Sequence, residues 1–359
     1  MKTWIKGKRV FVTGACGTIG RELIRQLLEE YQVGELVGID NNESDLFFLE
    51  QYFLKYPQAR FYLADIRDLN KMYRCLKGID VVIHPAAFKH VFLCERSPFE
   101  AVQTNIVGVN NLLTAAGESQ VEKFIFTSSD KAVNPTNVMG TSKLMGERLV
   151  TAANSNYGGN GSIYASTRFG NVLGSRGSVI PVFKEQIKRG GPVTLTHPDM
   201  TRFIMSIRQA VKLVIDSAAF ARGGEVFITK MPIIYIEDLA EIMIEALAPV
   251  YGYAAADIKI EIIGSKPGEK MYEELMSAEE TRRALELKDY FVVIPAFRSI
   301  YQEIQYDYPD VISEAVTNAY NSANETPMSK AELKSFLLSH QLLKESDREL
   351  ENPAERYFP

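Results

Sequence analysis

Apolar residues fall along the first half of this chain in two alternating rhythms. Short runs rich in β-branched and aromatic side chains occur at Arg9 to Thr13 (RVFVT), Glu35 to Ile39 (ELVGI), Ala59 to Leu63 (ARFYL), Asp80 to His84 (DVVIH), Lys123 to Thr127 (KFIFT) and Ser162 to Ser166 (SIYAS). Each is separated from the next by enough chain for an amphipathic helix. Strands that alternate with helices predict an α/β protein with a parallel sheet covered on both faces. The unbroken apolar run Val81, Val82, Ile83 fits a strand buried from both sides.

Beyond Arg168 the rhythm becomes irregular, with Gly- and Pro-containing stretches such as GSRGSVIP (174 to 181) and RGGPVTLTHPDMTRF (189 to 203). The reading is therefore a sheet domain over 1–168, to which later segments return, a mainly substrate-binding region over 169–295, and an appendage over 296–359 with a possible role in oligomerisation. Within that appendage a Tyr-rich stretch, 301 to 308, precedes a helix whose start is marked by Ser329 and Glu332 in capping-box spacing. No internal repeat or low-complexity tract interrupts the chain.

Composition narrows the function. Of 359 residues, 46% are hydrophobic and 24% charged, and the net charge is −5, which argues for a globular fold and against a nonspecific nucleic-acid or anionic-membrane binder. No run approaches the roughly 18 apolar residues of a membrane span, and Met1 to Val10 lacks the apolar centre of a signal peptide, so a cytoplasmic protein is expected. Cys16, Cys75 and Cys94 are odd in number and unpaired in spacing. The four histidines, His84, His90, His197 and His340, are scattered, so neither disulfides nor a metal site is expected.

The first strand runs into Thr13-Gly14-Ala15-Cys16-Gly17-Thr18-Ile19-Gly20, followed by helix-spaced RELIRQLLEE. Glycines between a strand and a helix let the backbone approach a pyrophosphate, which the helix N-terminus stabilises. Gly14, Gly17 and Gly20 make a GxxGxxG spacing, the short-chain dehydrogenase variant of the dinucleotide turn; an ordinary tight turn is the alternative. Asp40 ends the second strand about 20 residues after Gly20, where a carboxylate accepts from the adenosine ribose hydroxyls and repels a 2′-phosphate. NAD is favoured on that ground, with NADP open. Asp40 could instead cap the next helix, and Asp65, in LADI, could meet the adenine.

The fifth strand leads into Thr127-Ser128-Ser129-Asp130-Lys131, and the helix that follows carries Met139 and Lys143 one turn apart. Hydroxyl, acid and amine thus gather at the carboxyl end of a strand, where open parallel sheets bind their ligands. Lys143 would reach the nicotinamide ribose while residue 139 faces the substrate. A turn with a surface ion pair is the plainer alternative.

Together TGACGTIG, HPAAFKHV, SSDKAVNPTNVMGTSK, RFGNVLGSRGSVIP, MTRF and KPGEKMYEEL resemble the extended short-chain dehydrogenase/reductases, and among them the CapD-like UDP-N-acetylglucosamine 4,6-dehydratases of polysaccharide biosynthesis, over roughly residues 7 to 295. The resemblance implies a Rossmann-type doubly wound parallel sheet with a smaller C-terminal substrate region, a tightly bound NAD regenerated each turnover, a UDP-sugar substrate and a homo-oligomer. It implies a cofactor set of Gly14, Cys16, Gly17, Thr18, Ile19, Gly20, Asp40, Asp65, Ile66, Ala86, Ala87, Lys89, Asn105 and Lys143. Its substrate set is Lys89, His90, Asn171, Arg176, Ser178, Val179, Arg202 and Glu269, with the arginines and the Glu269-Lys270 pair addressing diphosphate and uridine. A surface role for either arginine is the alternative.

The implied reaction oxidises sugar C4, eliminates water across C5 and C6, and returns the hydride to C6. Asp130 would act as acid and Lys131 as base, which requires a neutral Lys131 and thus burial or cationic neighbours. The extended family usually carries Tyr where this chain has Met139, and a thioether exchanges no proton. The CapD-like group includes members with this same Met beside the Asp-Lys dyad, so the resemblance reads Met139 as a subfamily mark; the C4-hydroxyl proton falls to Asp130, to Ser129 through water, or to Lys143. Rival expectations are a nucleotide-sugar epimerase, an enzyme stopping at the 5,6-ene, and a non-catalytic NAD sensor.

Overall fold

A computed structural model describes residues 3–264, 268–296 and 304–344. Lys266 and Pro267 of the KPGEK motif, Tyr301 of the Tyr-rich stretch and the chain beyond 344 lie outside the described residues. The chain divides into two compact units. The first comprises Met1–Phe169, Ala210–Lys230 and Leu275–Ala319, and the second Gly170–Gln209, Met231–Glu274 and Tyr320–Pro359.

In the first unit the strands expected from the sequence form at β1 (Arg9–Thr13), β2 (Glu35–Asp40), β3 (Ala59–Leu63), β4 (Val81–His84), β5 (Lys123–Ser129) and β6 (Ile163–Phe169). They order as 3-2-1-4-5-6, all parallel, and Val226–Thr229 adds a further parallel strand beside β6. Tyr290–Val293, Ala284–Leu287 and Val311–Ser313 extend that edge antiparallel. The strand order reverses between β1 and β4, the position where such sheets open a crevice at their carboxyl ends.

Alternation along each strand builds two cores. Val10 and Val12 of β1, Val81 and Ile83 of β4, Ile125 of β5 and Ala165 of β6 pack to one face. Phe11, Val82, Phe124, Phe126 and Tyr164 pack to the other. Successive side chains of a strand point oppositely, so a strand clad on both sides must be apolar throughout.

One buried polar hub ties this unit together. Arg168 at the end of β6 is 1% exposed. It donates from Nε and Nη2 to Glu147 on the helix Val138–Tyr157 at 3.0 and 2.6 Å, to Glu280 at 3.1 Å from two nitrogens, and to the Leu275 carbonyl at 2.8 Å. A guanidinium is the group suited to two carboxylates at once, because its donors form a rigid planar fork.

The second unit has its own core. Asn171–Leu173 lies parallel to Thr201–Ser206, which pairs antiparallel with Ile233–Tyr235. The helices Val179–Lys188, Ile236–Leu247 and Lys330–Ser339 close the core, with Leu333 and Leu337 at 0% exposure. The capping box expected at Ser329 and Glu332 is present, with Glu332 Oε2 accepting from the Ser329 N–H at 2.8 Å. The stretch expected to form an appendage does not stand apart where it is described. Tyr306 and Tyr308 pack on the sheet core of the first unit, while 320–344 belong to the second.

Burial alone would raise the Glu280 carboxyl, but the Arg168 guanidinium overrides it and holds the value down to about 2. A folded value below the unfolded one contributes stability above the ordinary value of 4.5 that is lost as pH falls toward 2. Glu280→Gln is expected to lower the unfolding free energy at pH 7 by about 3 kcal/mol, the scale for breaking one buried partner. In urea titrations the variant should also lose part of the wild-type decline between pH 4.5 and 3; an unchanged decline would show that Glu280 does not carry it.

Candidate active site

The glycine turn owes its shape to close approaches. Gly14 adopts φ +57°, and a Cβ on it would lie 2.9 Å from the Ala86 Cα; a Cβ on Gly20 would lie 2.1 Å from the Gly14 carbonyl oxygen. Helix α1 (Thr18–Glu29) starts from Gly17, which has no side chain to cap it, and its first turn has no acidic residue. This is the backbone cradle an anionic dinucleotide needs. The Asp40 carboxylate accepts from the Cys16 N–H at 2.9 Å and the Asn42 N–H at 3.0 Å, fastening the turn to the end of β2. Asn42, not Asp40, caps the following helix. A carboxylate has about four acceptor positions, so these two bonds leave Asp40 able to take ribose hydroxyls. Burial and then Asp40 push the Cys16 thiol upward, keeping it from becoming a thiolate beside the turn.

Asp65 is turned to its neighbours: a hydrogen bond from Arg67 lowers its carboxyl value, and Asn41 donates to it at 3.3 Å. Ile66 fills the space over Gly108. After β4 the Ala86 N–H donates to Thr13 Oγ1 at 3.2 Å, and Thr13 Oγ1 lies 2.7 Å from His84 Nδ1. Burial and the charge of Lys143 lower His84 to about 3, so it stays a neutral strut. Asn105 sits in a π-turn, accepts from the Phe88 N–H, and donates both amide hydrogens, to the Phe88 carbonyl and to Ser142 Oγ. Its amide therefore clasps the loop that holds Ala87, Lys89 and His90. The latter two are exposed.

The Ser-Asp-Lys cluster lies where β5 ends in the tight turn Asp130–Ala132. The Asp130 side chain is 2% exposed and that of Lys131 32%, with Lys131 Nζ donating to Asp130 Oδ2 at 3.0 Å. Ser129 Oγ donates to Asp130 Oδ1 at 2.6 Å. The buried carboxylate rules out the plain surface pair. The helix Val138–Tyr157 approaches this turn closely because residue 140 is glycine: a Cβ there would lie 2.1 Å from the Lys131 carbonyl oxygen. Lys143, 6% exposed, donates to the Thr127 carbonyl at 2.9 Å over the Phe126 ring, and burial lowers its ammonium to about 8 against the raising influence of Glu147. Met139 packs with Cys94 and Ala101 in an apolar cluster, and a thioether itself exchanges no proton.

In the second unit Asn171 donates to Glu273 Oε2 at 3.0 Å. Arg202, expected at the diphosphate, is engaged internally. Its Nε lies 3.3 Å from Glu273 Oε1 and Nη2 lies 3.6 Å from Glu269, with donations to the carbonyls of Thr201, Lys270 and Met271. Ser178 stands at the N-cap position of the helix that begins at Val179 but makes no side-chain capping bond, and Arg176 in the loop before it is exposed. Glu147, Glu273, Thr13 and Ser142 were not singled out by the sequence; only the helical spacing of Glu147 from Lys143 signals one of them. Among the described residues no cluster of His, Cys, Asp and Glu could hold a metal, and no helix is long and apolar enough to cross a membrane.

A doubly wound sheet with this turn and this Asp-Lys-Lys set defines an extended short-chain dehydrogenase/reductase. The polysaccharide biosynthesis protein family matches residues 10–295, and the chain belongs to it. It is 52% identical over 295 residues to a Methanocaldococcus jannaschii protein called "Uncharacterized membrane protein MJ1061", covering 82% of this chain and 88% of that one. It is 36% identical over 294 residues to the UDP-N-acetylglucosamine 4,6-dehydratase (inverting) of Campylobacter jejuni, covering 82% and 84%. It matches Bacillus subtilis EpsC, a probable polysaccharide biosynthesis protein, at 44% identity over 77% of this chain, but spans only 46% of that longer protein. Among solved structures, Pen from Bacillus thuringiensis superposes with TM-score 0.87 at 41% identity, over 95% of this chain and all of that one. The dTDP-glucose 4,6-dehydratase DesIV of Streptomyces venezuelae, solved with NAD bound, shares the fold at TM-score 0.65 and 23% identity, over 73% and 86%.

A lysine whose folded value is depressed opposes folding while it is charged: the penalty is full below about pH 8 and fades as pH rises toward the ordinary 10.5. Lys143→Met is therefore expected to raise the unfolding free energy at pH 7 by about 1 to 3 kcal/mol while abolishing turnover. Urea unfolding and an activity assay check the two halves, and a destabilised variant would refute the penalty.

Proposed function

We propose that this chain is a nucleotide-sugar 4,6-dehydratase of the dehydratase/epimerase type, converting UDP-N-acetylglucosamine to a UDP-4-keto-6-deoxy-N-acetylhexosamine. The observation that carries the reading is the buried Asp130 carboxylate, hydrogen-bonded by Ser129 and paired with Lys131 at 3.0 Å, three residues beyond the strand position that Lys143 grips. The name and coverage of the Campylobacter dehydratase support it. NAD suits the glycine cradle and Asp40, and when bound it supplies a hydride acceptor for C4 and a donor for C6.

The residues can account for every proton. Ser129 relays the C4-hydroxyl proton to Asp130 along the 2.6 Å hydrogen bond, leaving a carboxylic acid. Protonating Asp130 removes the anion that favours a charged Lys131, and in its neutral form Lys131 removes the proton from C5, which the new C4 ketone has made acidic. Asp130 gives its proton to the departing C6 oxygen, so the water that leaves carries the C4-hydroxyl hydrogen. Lys131 then returns a proton to C5, and both side chains end as they began. Buried Asp130 and part-exposed Lys131 have different enough surroundings to hold opposite roles. Met139, packed among apolar side chains, takes no part in proton exchange and fits a reaction in which Ser129 and Asp130 serve the hydroxyl.

Incubation with UDP-N-acetylglucosamine and NAD is expected to give a product lighter by one water. An unchanged mass with an altered sugar would instead identify an epimerase, and no conversion would support a sensor. Lys131→Met should still let C4 be oxidised, read as NADH absorbance, while C5 exchange in deuterated water falls at least 100-fold; undiminished exchange would refute its role as base.

A further inference from the structure

The family match ends at residue 295, yet the chain beyond it reaches the polar centre of the second unit. Ser322 is 0% exposed. Its Oγ accepts from the Glu273 N–H at 2.9 Å and lies 2.9 Å from Thr201 Oγ1, and its own N–H donates to the Glu273 carbonyl at 2.8 Å. Glu273 is thus gripped through both backbone groups by one residue of the C-terminal segment. Its carboxylate, 7% exposed, divides: Oε1 faces Arg202 Nε at 3.3 Å and Oε2 accepts from Asn171 Nδ2 at 3.0 Å.

A second anchor reaches the same place. Tyr320 accepts from the Met231 N–H at 2.8 Å and donates to the Met231 carbonyl at 3.2 Å, and Met231 Sδ accepts from the Gly170 N–H at 3.5 Å. The Tyr320 ring stands 4.7 Å from that of Phe203, whose Cβ would lie 2.8 Å from a Cβ on Gly170. Residues 320 and 322 therefore hold both Gly170 and the carboxylate opposite Asn171.

A carboxylate only accepts, so Glu273 decides which way the Asn171 amide points: nitrogen toward Glu273, carbonyl oxygen away from it. We infer that Glu273 and Ser322 are positioning residues for nucleotide-sugar binding: the C-terminal segment locks Glu273, and Glu273 presents the Asn171 amide in one orientation to the ligand. Arg202 serves the same lock by balancing the charge of Glu273, since a buried carboxylate without a cation is costly. The inference rests on the proposed reading in taking a UDP-sugar as the ligand of Asn171. It adds that a segment beyond the family match sets the affinity.

Ser322→Ala in the full chain tests it, because the change is neutral and small. Calorimetry with UDP-N-acetylglucosamine is expected to show a Kd about tenfold higher, with KM following, kcat within twofold, and the NAD Kd within twofold. In an Asn171→Ala background the same substitution should change the sugar-nucleotide Kd less than twofold, because its effect passes through Asn171. Thr201→Val, which removes the hydroxyl partner of Ser322 and keeps the Glu273 N–H, should give the same pattern at smaller size and serves if Ser322→Ala does not fold. An unchanged Kd in a folded variant, an equal loss of NAD affinity, or a full tenfold effect on top of Asn171→Ala would overturn the inference. A wild-type protein that binds UDP-N-acetylglucosamine without converting it would refute the dehydratase reading alone, and the cycle would still be judged on Kd. Wild-type protein that binds no UDP-sugar would overturn both.

Discussion

A buried charge must be answered where it lies, and the helix Val138–Tyr157 carries two. Lys143 is answered by a backbone carbonyl of β5 and the face of Phe126; Glu147, one turn on, by Arg168 of β6. These bonds fix both the height and the rotation of the helix against the two strands. Glycines at 140 and 146 remove the side chains that would keep it away, since a Cβ at 146 would meet the Phe126 ring at 2.6 Å. The turn bearing Asp130 and Lys131 lies under the same helix, so its geometry follows from how those charges were satisfied. Well-packed apolar residues can match a buried ion pair in stability, but they lose the orientation that directional bonds impose.

The same logic operates at the other functional groups. Asp40 accepts from the backbone of the glycine turn and of its own strand end, Thr13 and His84 join β1 to β4, and Asn105 clasps the loop beyond β4 while touching Ser142. In the second unit Glu273 is a hub of the same kind. Groups expected to meet a ligand are backed by buried polar neighbours whose directional bonds hold them in place.

Ionisation is arranged to match. His84 is held neutral and cannot compete for the charge of Lys143, while Lys143 is brought down to about 8, within reach of neutral pH. Glu280 is held charged by the guanidinium it shares with Glu147. Burial supplies the cost in each case, and the partner determines which protonation state survives.

Much of this architecture was legible in the chain because it depends on neighbours in sequence. Strand alternation, the glycine spacing before α1, the capping box at Ser329 and the grouping of Ser129, Asp130 and Lys131 are all local patterns, enforced by backbone sterics and side-chain period. What the tertiary structure alone decided are partnerships between distant positions: Glu147 with Arg168 and Glu280, Asn171 with Glu273 and through it Ser322, and Met139 with Cys94 and Ala101. It also turned Arg202 and Asp65 toward protein carboxylates and cations, and built the expected appendage into both units. No periodicity encodes such pairings, because a hydrogen bond between residues a hundred positions apart is selected by the packing that brings them within 3 Å.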